Sequence, residues 1–344
     1  MTMAGEELPR AFGGPCCSGV MRCEPEDFFI DEVPQVVADG EGEHLLLRIE
    51  KRGANTEWVA AQIARHAGVA RSDVSYAGLK DRHALARQWF SLRLAGRPEP
   101  DWTALGSDEF RLLERARHSR KLRPGALRGN RFVIRLRRLE GDTHRLESLL
   151  SQLATRGIPN YFGEQRFGRN GGNLHAARAM FARRGGRLSR HKRGLYLSAA
   201  RAEIFNQLLA RRVREGSWER ALDGERLILN GSRNSFLLEP GDNVIEQRLR
   251  AMEIHPSGPL WGIGETGAAG AAAALERWAA DACSDLSAGL AGASLKPERR
   301  ALRAVVADLD WSLHSDQLEL AFFLPKGSFA TVLLREIVDY RSAL

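Results

Sequence analysis

The sequence predicts a mixed α/β (α+β) fold, in which a domain built on a mixed or antiparallel sheet is interrupted by a helix-rich α/β insertion. Three observations predict it. Runs with apolar residues at every second position lie toward both ends of the chain, helical periodicity dominates from about residue 160, and 344 residues with 43% hydrophobic content suffice for two cores.

The elements follow in order. "DFFIDEV" (Asp27 to Val33) and "HLLLRIE" (His44 to Glu50) read as strands, the second alternating Leu45, Leu47 and Ile49 with polar neighbours. Asn55 or Thr56 can cap a helix in which Trp58, Val59 and Ile63 share a face, ending at Gly68. "RQWFSLRL" and "RFVIRLR" are the next strands, and Asp142 or Thr143 opens a helix with Leu146, Leu149, Leu150 and Leu153 at helical spacing, stopped by Gly157 and Pro159.

Beyond residue 160 the pattern predicts helices over "LHAARAMFARR" and from Ser198 to Arg214, the latter through Ile204, Phe205, Leu208, Leu209 and Val213. A hairpin is expected in "ERLILNGSRNSFLLE", with Asn230-Gly231 as a two-residue turn. The Gly/Ala-rich stretch from Gly258 to Ala274 reads as loop and then helix. "RALRAVVADLDWSL" and "LELAFFL" restore strand character around a turn at His314 to Asp316, and Ser328 can cap a last helix.

Composition narrows the function classes. No apolar run is long enough to cross a bilayer and no secretory leader is evident, so a soluble, cytoplasmic protein is expected. Cys16, Cys17, Cys23 and Cys283 match neither a disulfide framework nor paired zinc knuckles, and the nine histidines form no metal motif, so reduced thiols and no metal are expected. The net charge of +8 favours a polyanionic partner. From Arg115 to Arg138 there are ten basic residues and no acid, a footprint suited to phosphates.

Three stretches could carry chemistry. Gly262, Gly264 and Gly267 spell GxGxxG, but "HPSGPLW" before them reads as no buried strand and the acids that follow are poorly spaced, so a loop opening a helix is preferred to a dinucleotide site. Asp81, in "YAGLKDRHALARQWFSL", follows a glycine turn and lies between Lys80 and Arg82. Such a position fits either a surface ion pair or a carboxylate kept charged by its neighbours for attack or proton removal. "GIPNYFGEQRFGRNGGN" mixes Tyr161, Phe162 and Phe167 with Arg166 and Arg169, which suits stacking on unpaired bases as well as a junction with buried aromatics.

Together these segments resemble the TruD family of tRNA pseudouridine synthases. "EPEDFFIDE", "GEHLLLRIEKRGANT", "YAGLKDRHALARQWFSL", "RKLRPGALRGNRF", "GIPNYFGEQRFG", "LSAARAEIFNQLLA" and "LPKGSFATVLLRE" occur in the family's order over nearly the whole chain. The resemblance implies a catalytic α/β module of residues 1–155 and 305–344, interrupted by a TRUD insertion of residues 156–304. It implies isomerisation of uridine 13 of tRNA to pseudouridine, with tRNA as partner, no cofactor and a monomer expected.

Residue by residue, Asp81 matches the family's catalytic aspartate, and Phe28, Asn130 and Phe329 match positions lining the substrate pocket. Phe132 stands where other pseudouridine synthase families tend to have a tyrosine, and Arg22 stands where a lysine is expected, keeping the charge but not the geometry. The chemistry breaks the bond from ribose C1′ to uracil N1 and rejoins the base through C5, on a base taken out of its stack. Asp81 would attack C1′ or remove the C2′ proton, and the residues leave both routes open. Two other readings remain: a non-catalytic RNA-binding or RNA-chaperone protein, which has no need of Asp81, and a glycosidase, for which Glu164 is the nearest second acid.

Overall fold

The computed structural model describes residues 7–94, 96–182, 188–239, 241–242 and 244–343. In chain order it begins with strands β1 (Cys17–Met21), β2 (Phe28–Pro34) and β3 (His44–Arg52), helix α1 (Thr56–His66), and strands β4 (Val74–Tyr76), β5 (Leu85–Arg93), β6 (Gly106–Ser107), β7 (Phe110–His118) and β8 (Leu127–Gly141). The middle contains α2 (Thr143–Arg156), β9 (Ile158–Pro159), α3 (Gly172–Ala182), α4 (Arg190–Arg214), β10 (Arg226–Leu229), β11 (Ser235–Leu237), α5 (Ile245–Arg250), β12 (Ile254–Leu260), α6 (Gly270–Ala282) and α7 (Ser284–Gly292). The chain closes with β13 (Glu298–Ala301), β14 (Arg303–Ala304), β15 (Ala307–His314), β16 (Gln317–Pro325), α8 (Ala330–Ile337) and β17 (Val338–Ser342). The fold is mixed α/β.

One compact unit comprises residues 16–144, 306–327 and 338–344. Its sheet runs β15-β16-β8-β2-β5-β3-β7-β6, with β1 joining β8 to β17 and β4 pairing with β5. β2 and β5 are parallel, as are β1 and β17, and the other pairs are antiparallel. The alternation of β3 explains its placement: Leu45, Leu47 and Ile49 are buried in one cluster with Val59 and Ile63 of α1 and Phe90 and Leu92 of β5. Each large apolar side chain so buried contributes about 1.5–3 kcal/mol. In β8, Phe132, Ile134 and Leu136 point inward, while the intervening Arg131, Arg135 and Arg137 pair with Asp308, Glu319 and Asp27. Most of the basic stripe is therefore strand, with several cations already matched by acids on neighbouring elements.

The other compact unit comprises residues 1–15, 145–305 and 328–337. It contains an antiparallel sheet, β11-β10-β12-β13, a short β14-β9 pair, and helices grouped around α4. Gly157 ends α2 with φ 72°, its amide bonded to Leu153 O, in the left-handed conformation that glycine adopts without strain. Helix α4 starts at Arg190, earlier than the periodicity from Ser198 indicates, because Ser189 caps it by accepting from Lys192 N. The last two residues of the segment expected as a helix after Leu174, 183–184, lie outside the described residues.

Two local expectations are corrected in this unit. The hairpin joins β10 and β11, but Leu229 N bonds to Asn234 O, leaving residues 230–233 as a longer connection; Gly231 has positive φ and Asn230 does not, so the two-residue turn with both residues left-handed is not formed. The stretch before GxGxxG is a buried strand, β12. Its polar residues escape the usual cost because His255 Nδ1 accepts from Arg303 Nε at 3.0 Å and Ser257 Oγ accepts from Arg299 Nε at 3.0 Å. Since β12 pairs only antiparallel and α6 begins at Gly270, the surroundings are still not those of a dinucleotide-binding βαβ turn.

Candidate active site

The Asp81 loop connects β4 to β5, and the register of the parallel pair determines where it is delivered. Leu85 lies opposite Phe29, so the loop preceding β5 reaches the start of β2, where Phe28 stands. Four nearly inaccessible polar side chains hold this loop from beneath: Glu32, Lys51, Thr56 and Gln88. Gln88 Nε2 donates to Gly78 O, and Thr56 Oγ1 accepts from Lys80 N at 3.1 Å while donating to Gln88 Oε1 at 3.0 Å. Lys80 turns inward to an ion pair with Glu32. Lys51 Nζ donates to Asp81 O at 2.7 Å and to Ala54 O at 2.8 Å. Thr56 therefore serves the loop, and neither it nor Asn55, the N-cap residue of α1, makes a side-chain cap bond.

The carboxylate of Asp81 is held at both oxygens. Oδ1 accepts from His83 N at 3.1 Å, and Oδ2 accepts from Arg22 Nη2. Both side chains of the ion pair are less than a fifth exposed. Arg22 follows β1 with φ 61°, a left-handed conformation that an arginine adopts only at some cost, and this turns its guanidinium over the ring of Phe28, 4.4 Å from the centroid. The cation facing Asp81 is thus Arg22. Of the two sequence neighbours, Lys80 is committed to Glu32 and Arg82 is exposed.

The pairing register extends the site across the sheet. Phe28, Ile30 and Glu32 lie opposite Ile134, Phe132 and Asn130, and Phe132 and Asn130 lie opposite Phe322 and Leu324, so these residues share one face. Phe132 meets Phe28 edge-on with centroids 6.1 Å apart and stacks on Phe322 at 5.3 Å. Phe28 and Phe132 are almost fully buried, which leaves them as packing beneath Arg22 with little free ring surface. Asn130 Oδ1 and Arg22 Nε are buried and have no hydrogen-bond partner among the described residues. An orphaned donor on the arginine that binds Asp81, and an orphaned acceptor opposite Glu32, are groups that a polar ligand would satisfy.

Phe329 belongs to the other compact unit, where a Cβ on Gly163 would come within 3.4 Å of its ring. In the same unit Tyr161 and Phe162 of the aromatic motif are buried, and the guanidinium carbons of Arg300 and Arg166 lie 4.0 Å and 5.3 Å from the ring centroid of Phe162. For these two aromatics the packing reading holds. The sequence reading missed Glu32, Lys51, Thr56 and Gln88. A signal existed for two of them: Lys51 occupies the inward position after Leu45, Leu47 and Ile49, and Glu32 the one after Phe28 and Ile30, where apolar residues would be expected.

Burial lowers Lys51 from the usual lysine range to about 8, against the attraction of the Asp81 charge and with the repulsion of Lys80. Among the described residues no group of three or more His, Cys, Asp or Glu is placed to hold a metal ion, and no helix is long and apolar enough to cross a membrane.

Comparison with known proteins gives this geometry its family. The profile described as "tRNA pseudouridine synthase D (TruD)" matches residues 10–185 and 179–337. The tRNA pseudouridine synthase D of Methylococcus capsulatus is 48% identical over 336 residues, covering 97% of this chain and 95% of its own. That of Nitrosococcus oceani is 47% identical over 348 residues, covering 99% and 96%. A crystal structure of a putative tRNA pseudouridine synthase D from Methanosarcina mazei superimposes with a TM-score of 0.71, covering 97% of this chain and 96% of its own at 22% identity, which supports the fold. With nearly half its residues shared along almost its full length, the chain belongs to the tRNA pseudouridine synthase D (TruD) family.

Proposed function

We propose that this protein isomerises uridine 13 of tRNA to pseudouridine, with Asp81 acting at the ribose. The observation that carries the reading is the Asp81 carboxylate, bonded by Arg22 on a loop whose main chain is held by buried side chains. A carboxylate fixed in this way can be brought to C1′ or to the C2′ proton with little reorganisation. Neither route requires a redox partner or group donor. Arg22, with one nitrogen already on Asp81 and Nε unmatched, can stabilise negative charge on the departing uracil. Asn130 Oδ1 can accept from uracil N3–H or a ribose hydroxyl.

Phe28 and Phe132 would act by backing Arg22, and the role of Phe329 rests on the family resemblance alone. The same resemblance supports a catalytic module of residues 1–155 and 305–344 around an insertion of 156–304.

The test uses tRNA carrying tritium at uridine C5, together with carbodiimide mapping of the product. Wild type should release tritium and mark position 13, and Asp81→Asn should bind tRNA without releasing tritium. Tritium release by Asp81→Asn would overturn the assignment of Asp81, and tRNA binding without release by wild type would favour the non-catalytic reading.

A further inference from the structure

We propose that Lys51 is a positioning residue of this reaction: from beneath the loop its ammonium fixes the main chain of Asp81, and with it the direction of the carboxylate. The inference rests on the assignment of Asp81 made above. Lys51 has no accessible surface, and among the described residues it is the one side chain from the buried bed that bonds Asp81 itself; the others hold Gly78 and Lys80. Its second bond, to Ala54 O, ties the loop to the end of β3.

Lys51 makes no ion pair among the described residues, and both its acceptors are neutral carbonyls. Burying an ammonium in that way is unfavourable, and a methionine would extend the row of Leu45, Leu47 and Ile49 without the penalty. A charge retained there against stability points to use.

The charged groups around Lys51 are few. Asp81 and Lys80 face it from the loop, with Glu32 of β2 bound to Lys80 and Arg22 beyond the Asp81 carboxylate. On β5 and β7, Arg87 and Arg111 are occupied by Glu50, the neighbour of Lys51 in β3. Burial brings Lys51 to about 8. Above that pH the bonds to Asp81 O and Ala54 O become those of a neutral amine and weaken. Activity should therefore fall as pH rises through about 8. The contribution of Lys51 to folding stability runs the other way: the unfolded chain keeps this proton up to about 10.5, so stability rises between about 8 and 10.5. A purely structural lysine would not lower the rate where it raises stability.

The experiment measures single-turnover tritium release from C5-labelled tRNA with saturating enzyme from pH 6.5 to 9.5, alongside tRNA affinity and thermal melting, for wild type, Lys51→Met and Lys51→Gln. Lys51→Met should release tritium about 10²-fold more slowly at pH 7.5 with tRNA affinity nearly unchanged, as expected for a misplaced reacting group. Lys51→Gln, whose amide can donate to both carbonyls without charge, should recover part of the rate and lose the fall near pH 8. A wild-type rate that stays flat from pH 7 to 9, or wild-type rates in both folded variants, would overturn the role of Lys51. If Lys51→Met does not fold, an alkaline fall that persists in Lys51→Gln overturns it equally. Absence of release by wild type at every pH would instead remove the isomerase reading, and the Lys51 role with it.

Discussion

Arg22 and Asp81, 59 residues apart in sequence, form the partly buried ion pair at the centre of the site, while Lys80, adjacent to Asp81, points away into the protein. The left-handed φ of Arg22 allows this pairing, since it turns the side chain from the end of β1 onto Phe28 and toward the loop. Arg22→Ala should reduce single-turnover tritium release by about 10²-fold, the usual effect of losing one donor to developing charge. Arg22→Lys should recover the charge without the fork geometry and fall between the two. Equal rates for all three proteins would exclude Arg22 from the chemistry.

The basic stripe divides into two classes, and only one should govern RNA binding. Arg115, Arg117, Arg131, Arg135 and Arg137 are paired with acids. Arg120, Lys121, Arg123 and Arg128 are exposed and make no ion pair among the described residues, and the same holds for Arg138 farther along β8. Arg120, Lys121 and Arg123 lie between β7 and β8 on a connection tied to the start of the Asp81 loop by Gly125 N to Ala77 O, 2.7 Å, and Arg128 follows at the start of β8. Replacing these four by alanine should flatten the dependence of log Kd on log salt by about 0.7–0.9 for each phosphate contact removed. The same change at Arg131 and Arg135 should leave the slope near wild type. Filter binding from 50 to 300 mM salt distinguishes the classes.

His255 makes the compact unit that contains α4 acid-sensitive. Burial, and secondarily Arg303, lowers it from 6.5 to about 3, so the folded protein keeps a neutral imidazole that the unfolded chain protonates below about 6.5. As pH falls from 6.5 toward 3, the unfolded state binds the extra proton and stability declines, at most by about 1.4 kcal/mol per pH unit from this group. Urea midpoints of wild type and His255→Gln between pH 7.5 and 4.5 should converge on acidification. Parallel curves would mean that another group sets the acid limit.

Two glycines predict opposite responses to alanine. A Cβ on Gly129 would lie 2.1 Å from Leu324 O in the adjacent strand β16, and nothing rigid there can yield without breaking the sheet. Gly129→Ala should be destabilised by about 1–3 kcal/mol or more. Gly194, within α4, has nothing among the described residues within 4 Å of its added Cβ, so Gly194→Ala should gain up to about 1 kcal/mol from helix propensity. Thermal melting of both variants checks the pair.

The patterns legible in the sequence were those with a local cause. β3 follows from Leu45, Leu47 and Ile49 alternating, and α2 from leucines at helical spacing followed by a left-handed glycine. β12 was missed because the polar His255 and Ser257 argue against a buried strand, and the distant Arg303 and Arg299 are what make their burial tolerable. The extra length of α4 depended on a capping serine ahead of the apolar period.

By itself the sequence determined the family, the mixed α/β class and the choice of Asp81 as the residue to test, since each rests on ordered motifs or on residue type at a given position. The tertiary structure decided which charges face Asp81. Adjacent residues on a loop emerge in different directions, so Lys80 goes to Glu32, Arg82 to the surface, and the contacts with Asp81 fall to Arg22 and Lys51, brought there by strand pairing from 59 and 30 residues away.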